Sequence, residues 1–147
     1  MQKQPKESEF DIKLIKLIKL NFEHKENIKN IDEFSLDVGL RPEYIKNEDL
    51  IQFYLYVKID LYQNVKIDLY QNDNENKKIE ICSIESQIAG MFGYNKEIDK
   101  KLLPNIASIL YSYLRPIISQ LSIMAKIPPI DLPILNLSDI EVKEIKK

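Results

Sequence analysis

Residues 50–70 read Leu-Ile-Gln-Phe-Tyr-Leu-Tyr-Val-Lys-Ile-Asp-Leu-Tyr-Gln-Asn-Val-Lys-Ile-Asp-Leu-Tyr, and this stretch decides the fold. Ile51, Phe53, Leu55, Val57, Ile59, Leu61, Val65, Ile67 and Leu69 share one parity. Gln52, Tyr54, Tyr56, Lys58, Asp60, Tyr62, Lys66, Asp68 and Tyr70 share the other. Side chains alternate across a strand, so one face is built for burial and the other stays half wet, as in an antiparallel sheet. The octapeptide Val-Lys-Ile-Asp-Leu-Tyr-Gln-Asn occurs twice in tandem, at 57–64 and 65–72. An even insertion keeps every side chain on its original face. It also lengthens the strand by roughly 26 Å at about 3.3 Å per residue, so the extra copy is expected to overhang as an extended hairpin tip.

Outward from this strand, Asn72-Asp73-Asn74-Glu75-Asn76 reads as a turn. Residues 77–92 return as a second strand, with an expected bulge near Cys82-Ser83 where the alternation slips. On the other side, residues 32–40 alternate with period two and should end at Arg41-Pro42. Residues 12–22 carry the period-three run Lys-Leu-Ile-Lys-Leu-Ile-Lys-Leu, which suits a helix as well as a strand. Residues 1–10 are polar and expected to be disordered, leaving 11–147 as a single domain.

Residues 105–126 follow the spacing of an amphipathic helix, with Pro104 in its first turn. Pro116 lies inside and should kink it. The stretch Ile127-Pro-Pro-Ile-Asp-Leu-Pro-Ile134 cannot be helical and should be stiff and extended. Ser138 and Glu141 have capping-box spacing, which predicts a short last helix. Strands first and helices last give an α+β fold: a four-stranded antiparallel sheet, a long kinked helix and a short C-terminal helix.

Composition narrows the function. The 147 residues are 44% hydrophobic and 30% charged, which suits one globular domain. Lys+Arg is 21 against Asp+Glu 23, so the basic excess of a nucleic-acid binder is missing. The single cysteine, Cys82, permits no intrachain disulfide and fits a reduced, cytoplasmic setting. No apolar run approaches the roughly 20 residues of a membrane helix, and the N-terminus lacks the apolar core of a signal peptide.

Residues 109–137 carry a resemblance. They read Ile-Leu-Tyr-Ser-Tyr-Leu-Arg-Pro-Ile-Ile-Ser-Gln-Leu-Ser-Ile-Met-Ala-Lys-Ile-Pro-Pro-Ile-Asp-Leu-Pro-Ile-Leu-Asn-Leu. This resembles the SecB family of protein-export chaperones, in which a helix with Ile-Leu-Phe-x-Tyr-x-Arg leads into a Pro-rich apolar connection and a final helix. Ile109, Leu110, Tyr113, Arg115, Ile118, Pro128, Leu132 and Asn136 coincide with that pattern. Upstream, Leu103-Pro104-Asn105-Ile106 resembles the family's helix start, and Gly90-Met91-Phe92 the end of its last strand. Leu20-Asn21-Phe22-Glu23 resembles its first strand, which turns the ambiguous residues 12–22 into a strand.

The resemblance implies a homo-tetramer, a dimer of dimers with the long helices between sheets. It implies an ATP-independent holdase that binds unfolded preproteins for export through Sec translocation, with no cofactor and no direct membrane insertion. The alternatives are a dedicated chaperone of an antitoxin in a toxin–antitoxin system, or an oligomeric scaffold without chaperone activity. By position, Glu23 and Glu85 match acids through which the family contacts the motor protein SecA, whereas Lys19 stands where the family has an acid. Pro116 replaces another acid, and Ala125 replaces the glycine that ends the family's helix, so the stop should come from Pro128-Pro129.

A holdase needs apolar surface that reads side-chain type rather than sequence. The candidate client-binding residues are Phe22, Tyr54, Tyr56, Met91, Phe92, Ile130, Leu132, Ile134 and Leu135. Of these, the Pro-stiffened 130–135 is the strongest, because stiffness lowers the ordering cost of binding. An enzyme has little to stand on. His24 is alone and Cys82 has no base near it in sequence. Three glycines build no phosphate loop, and the Asp32/Glu33 pair lacks an apolar setting.

Overall fold

The alternating stretch becomes a 20-residue strand, from Leu50 to Leu69, inside a sheet. The computed structural model describes residues 10–28, 33–69, 73–94 and 100–146, with side chains at 11–28, 33–65, 77–93 and 101–146. The strands are β1 (Phe10–His24), β2 (Phe34–Asn47), β3 (Leu50–Leu69), β4 (Asp73–Tyr94) and β5 (Lys143–Glu144). The helix α1 (Leu103–Met124) follows a single 3-10 turn at Lys100–Leu102. The strand order is β1-β4-β3-β2-β5. β2, β3 and β4 lie side by side in that order, and residues 12–22 are a strand, as the resemblance implies.

Four expectations are corrected. The sheet has five strands and is mixed, because β5 pairs with β2 in parallel, with Glu43 opposite Lys143 and Tyr44 opposite Glu144. Among the described residues, 138–146 form no short C-terminal helix. Asn136 Oδ1 takes the Ser138 N–H at 3.1 Å, and the apolar residues that follow, Ile140 and Val142, are β-branched and two apart. β2 does not stop at Arg41-Pro42. The Tyr44 carbonyl accepts from the Ile145 N–H at 2.8 Å, so residues of its parity turn their backbone groups toward β5. Pro42 has that parity, and its missing N–H takes nothing from the β3 ladder. Finally, Asp73–Asn76 is strand rather than turn. The doubled octapeptide runs along β3 to Leu69, and β4 lengthens to match it, because a paired ladder outweighs local turn preference. Residues 70–72, the polar start at 1–9 and Asp32 lie outside the described residues.

The chain divides into two compact units, which β1, β2, β3 and β4 each pass through. The first comprises residues 1–18, 41–55 and 88–147. Its core joins Ile51, Phe53 and Leu55 of β3 with Ile88 and Phe92 of β4 and the inner stripe of α1: Leu103, Ile106, Leu110, Leu114 and Ile118. These helix positions fall three or four apart, on one face. Gly90 lets helix and strand approach: a Cβ there would lie 2.4 Å from Phe92 Cε2 and 3.1 Å from Leu110 Cδ2. α1 is continuous through Pro116, which is exposed, so the bond its nitrogen cannot donate leaves the Ser112 carbonyl on the wet side.

The second unit comprises residues 19–40 and 56–87. Among its described residues, Val57, Ile59, Leu61, Ile81, Cys82 and Ile84 are buried and apolar. Gln63 is buried and partnered, and the Ser86 hydroxyl donates to the Val57 carbonyl at 3.0 Å. Ile81 and Cys82 are buried side by side, which is the slip in alternation legible in the sequence. The N–H groups of Lys25 and Glu26, just beyond β1, both reach the Ile81 carbonyl, at 2.8 and 3.3 Å, so two residues face one there, beside that slip.

Candidate functional site

The helix end and the extended segment after it form one built device in the first unit. The Ile127 N–H reaches the Ser122 carbonyl at 3.1 Å and the Lys126 N–H reaches the Ile123 carbonyl at 3.2 Å. With Lys126 at φ 57, this is a Schellman cap whose left-handed position holds a lysine. The helix therefore stops at its own cap, Ala125-Lys126, ahead of the two prolines expected to end it. Residues 127–137 then run back along α1. The buried Ser122 hydroxyl accepts the Ile130 N–H at 3.1 Å and donates to the Ser119 carbonyl at 2.6 Å. Arg115 Nε donates to the Leu132 carbonyl at 3.0 Å, and the Tyr111 hydroxyl donates to the Pro133 carbonyl at 2.7 Å. Positions 111, 115 and 122 lie on one helix stripe. Burial, partly opposed by the Arg115 charge, raises the Tyr111 phenol above its usual range. It stays a donor.

A cleft of about 230 Å³ lies in the same unit, lined by Tyr44, Leu103, Pro104, Ile140, Val142 and Glu144. It is below the roughly 300 Å³ at which small-molecule sites begin, and so is scaled to side chains. Burial, then the charge and hydrogen bond of the Glu144 carboxylate, push the Tyr44 phenol up. The Tyr44 hydroxyl thus donates to an acid that lines the same cleft.

The residues singled out in the sequence separate by burial. Phe92, Ile130 and Leu132 are core; the last two are 2% and 1% exposed because the hydrogen bonds from α1 turn their side chains inward. Phe22, Tyr54, Tyr56, Met91 and Leu135 are half-buried. Ile134, at 86%, is fully open. Other large apolar side chains are exposed too: Ile12, Leu14, Leu17 and Ile18 on β1, and Tyr113, Ile123 and Met124 on α1. The period-three lysines of β1 were their only sequence signal, since such a pattern gives a strand no clean apolar face. Tyr44, Ile140 and Val142 had none, because a two-residue strand announces itself only through its partner.

In the second unit, Glu23 pairs with Lys25 at 2.9 Å, and Glu85 with Lys19 at 3.7 Å. The hydrogen bond to Glu23, opposed by desolvation, raises the Lys25 ammonium. Burial pushes the Cys82 thiol up to about 11, with the Asp60 and Glu80 charges adding to it, so it is a structural thiol rather than a nucleophile. His24 is exposed, and among the described residues no group of His, Cys, Asp and Glu could hold a metal. No described helix is long and apolar enough to cross a membrane.

No family model and no curated protein matches the chain. The fold is nonetheless a known one: it is SecB-like. The chain is similar to the Mycobacterium tuberculosis SecB-like chaperone Rv1957, solved in complex with a ChAD peptide from the HigA1 antitoxin Rv1956. The TM-score is 0.66 at 16% identity, over 88% of this chain and 92% of that one. A Streptococcus agalactiae protein of unknown function matches at TM-score 0.42 and 11% identity, over 85% of this chain and 97% of that one.

Proposed function

We propose that this chain is a chaperone of the SecB-like kind, a single domain over residues 11–147 that holds unfolded polypeptides without ATP or cofactor. The observation that carries this is a SecB-like fold with large apolar side chains left open: Ile12, Leu14 and Ile18 on β1, Ile123 and Met124 at the end of α1, and Ile134 beyond it. Exposed apolar surface of this kind is the mark of an interaction site. Part of it suits self-assembly, since the edge strand β1 and the outer side of α1 are where a dimer of dimers would bring copies together. Ile134, with half-buried Leu135 and Met91, remains the best candidate for client contact.

A dedicated protein partner, such as an antitoxin, is favoured over delivery to SecA. Glu23 and Glu85, the acids that would meet SecA, are each matched by a lysine of the same chain, so the acidic field at that surface is weakened. The similar mycobacterial chaperone was solved with an antitoxin peptide, which supports the same choice.

The test is suppression of aggregation. The purified chain, at one-to-one ratio and without ATP, should slow aggregation of a chemically unfolded client. If no client among several is slowed, the reading is wrong. Calorimetric titration with SecA and with antitoxin peptides then separates the two routes.

A further inference from the structure

The segment 138–146 lies against the sheet edge in a different way from the segment before it. Within 127–137, Ile127, Ile130, Leu132 and Leu137 are buried and three side chains of α1 bind the backbone. Within 138–146 no residue is buried. Two residues pair with β2, and the Ile145 N–H bonds to the Tyr44 carbonyl at 2.8 Å. Ile140 and Val142 form one wall of the cleft over Tyr44, Leu103 and Pro104, and Glu144 accepts from the Tyr44 hydroxyl. Tyr44, Leu103 and Pro104 are buried with this strap in place. If it left, Tyr44, Leu103 and Pro104 would open beside an unpaired strand edge, which an incoming strand could cover with little net change.

We propose that residues 139–146 are an internal stand-in for a peptide ligand, and that the outer edge of β2 at Glu43–Asn47 binds extended peptides in parallel by displacing them. This rests on the chaperone reading and specifies one mode of client contact. The strap's own residues define the ligand: two apolar side chains two apart, Ile140 and Val142, then an acid two further on, Glu144. Ile140 and Val142 pack as one wall of the cleft opposite Leu103 and Pro104, and the Tyr44 hydroxyl reads the acid. Pro42 limits the register, since it offers no N–H to an added strand just upstream of Glu43.

The probe is a fluorescein-labelled octapeptide, Asp-Ile-Glu-Val-Lys-Glu-Ile-Lys, copying residues 139–146, titrated into the full chain by anisotropy. Ile145→Pro deletes the strap's hydrogen bond and should tighten binding by roughly three- to tenfold, the change that loss of one backbone hydrogen bond implies. Val142→Ser weakens the strap without touching its backbone and should act in the same direction. A peptide with Gln in place of its second glutamate should bind the wild-type chain more weakly, and Tyr44→Phe should erase that preference. Unchanged or weaker binding in both strap variants overturns the proposal, as does a Glu preference that survives Tyr44→Phe. Aggregation suppression is measured alongside. Clients held while the peptide ignores the strap sink this inference alone; neither client nor peptide bound sinks the chaperone reading with it.

Discussion

The Ser122 hydroxyl accepts the Ile130 backbone N–H at 3.1 Å, with both residues buried. One hydroxyl thus ties the last turn of α1 to the segment that leaves it. Ser122→Ala keeps the volume nearly unchanged but strands a buried donor. The expected loss is about 1–3 kcal/mol of stability, read as a lower urea midpoint. Tyr111→Phe, which deletes the bond to Pro133 at the less buried end, should lose about 1 kcal/mol.

Lys126 sits at φ 57 in the helix cap. Glycine adopts that conformation without strain, so Lys126→Gly should stabilise the protein by about 0.5–1 kcal/mol. Lys126→Ala retains the strain and should leave the melting temperature close to that of the wild type. A gain from both substitutions would point to the lysine charge instead of the backbone.

Gly90 has no room for a methyl group, because the Phe92 ring and Leu110 fill the space and Phe92 is wholly buried. Gly90→Ala should destabilise by about 1–3 kcal/mol, the range for overpacked cores. Thermal unfolding checks it.

Cys82 makes stability fall at alkaline pH. Its folded-state pKa, about 11, lies above the ordinary 9.0, so the folded state holds the proton that the unfolded state loses between those values. The stabilisation is complete below about pH 9 and is lost as pH rises through 11. Cys82→Ala should flatten that part of the pH profile, and native Cys82 should resist alkylation at pH 8.

The pairing of Lys19 with Glu85 bears on SecA. Lys19→Glu removes the partner and restores an acid, leaving Glu85 free to act outward. Titration should detect SecA binding to this variant more strongly than to the wild-type chain. Equal binding would separate these acids from the contact.

The class of the fold was legible because its two periodicities are long and clean. Period two over residues 50–70 and helical spacing over 105–126 survive any tertiary context, since a slip in either would turn the core outward. Gly90, Pro104 and the tandem octapeptide were also readable, the last because an even insertion preserves faces. The ends of the elements were not. Pro42 reads as a terminator until it is known which edge its nitrogen faces, and Asp73–Asn76 reads as a turn until β3 is long enough to claim it.

The candidate site was legible only in part. The 130–135 segment is apolar and stiff, as its sequence says, but which of its side chains are free was decided by Ser122, Arg115 and Tyr111 on α1. Those contacts bury Ile130 and Leu132 and leave Ile134 in solvent. The sequence by itself determined the strands, the helix and their apolar faces, because these depend on neighbours a few positions away. Tertiary structure alone decided the parallel β5, the cleft at Tyr44 and the pairing of Glu85 with Lys19. Each of these joins residues whose separation in sequence leaves no local trace, and only the finished packing brings their polar groups within bonding distance.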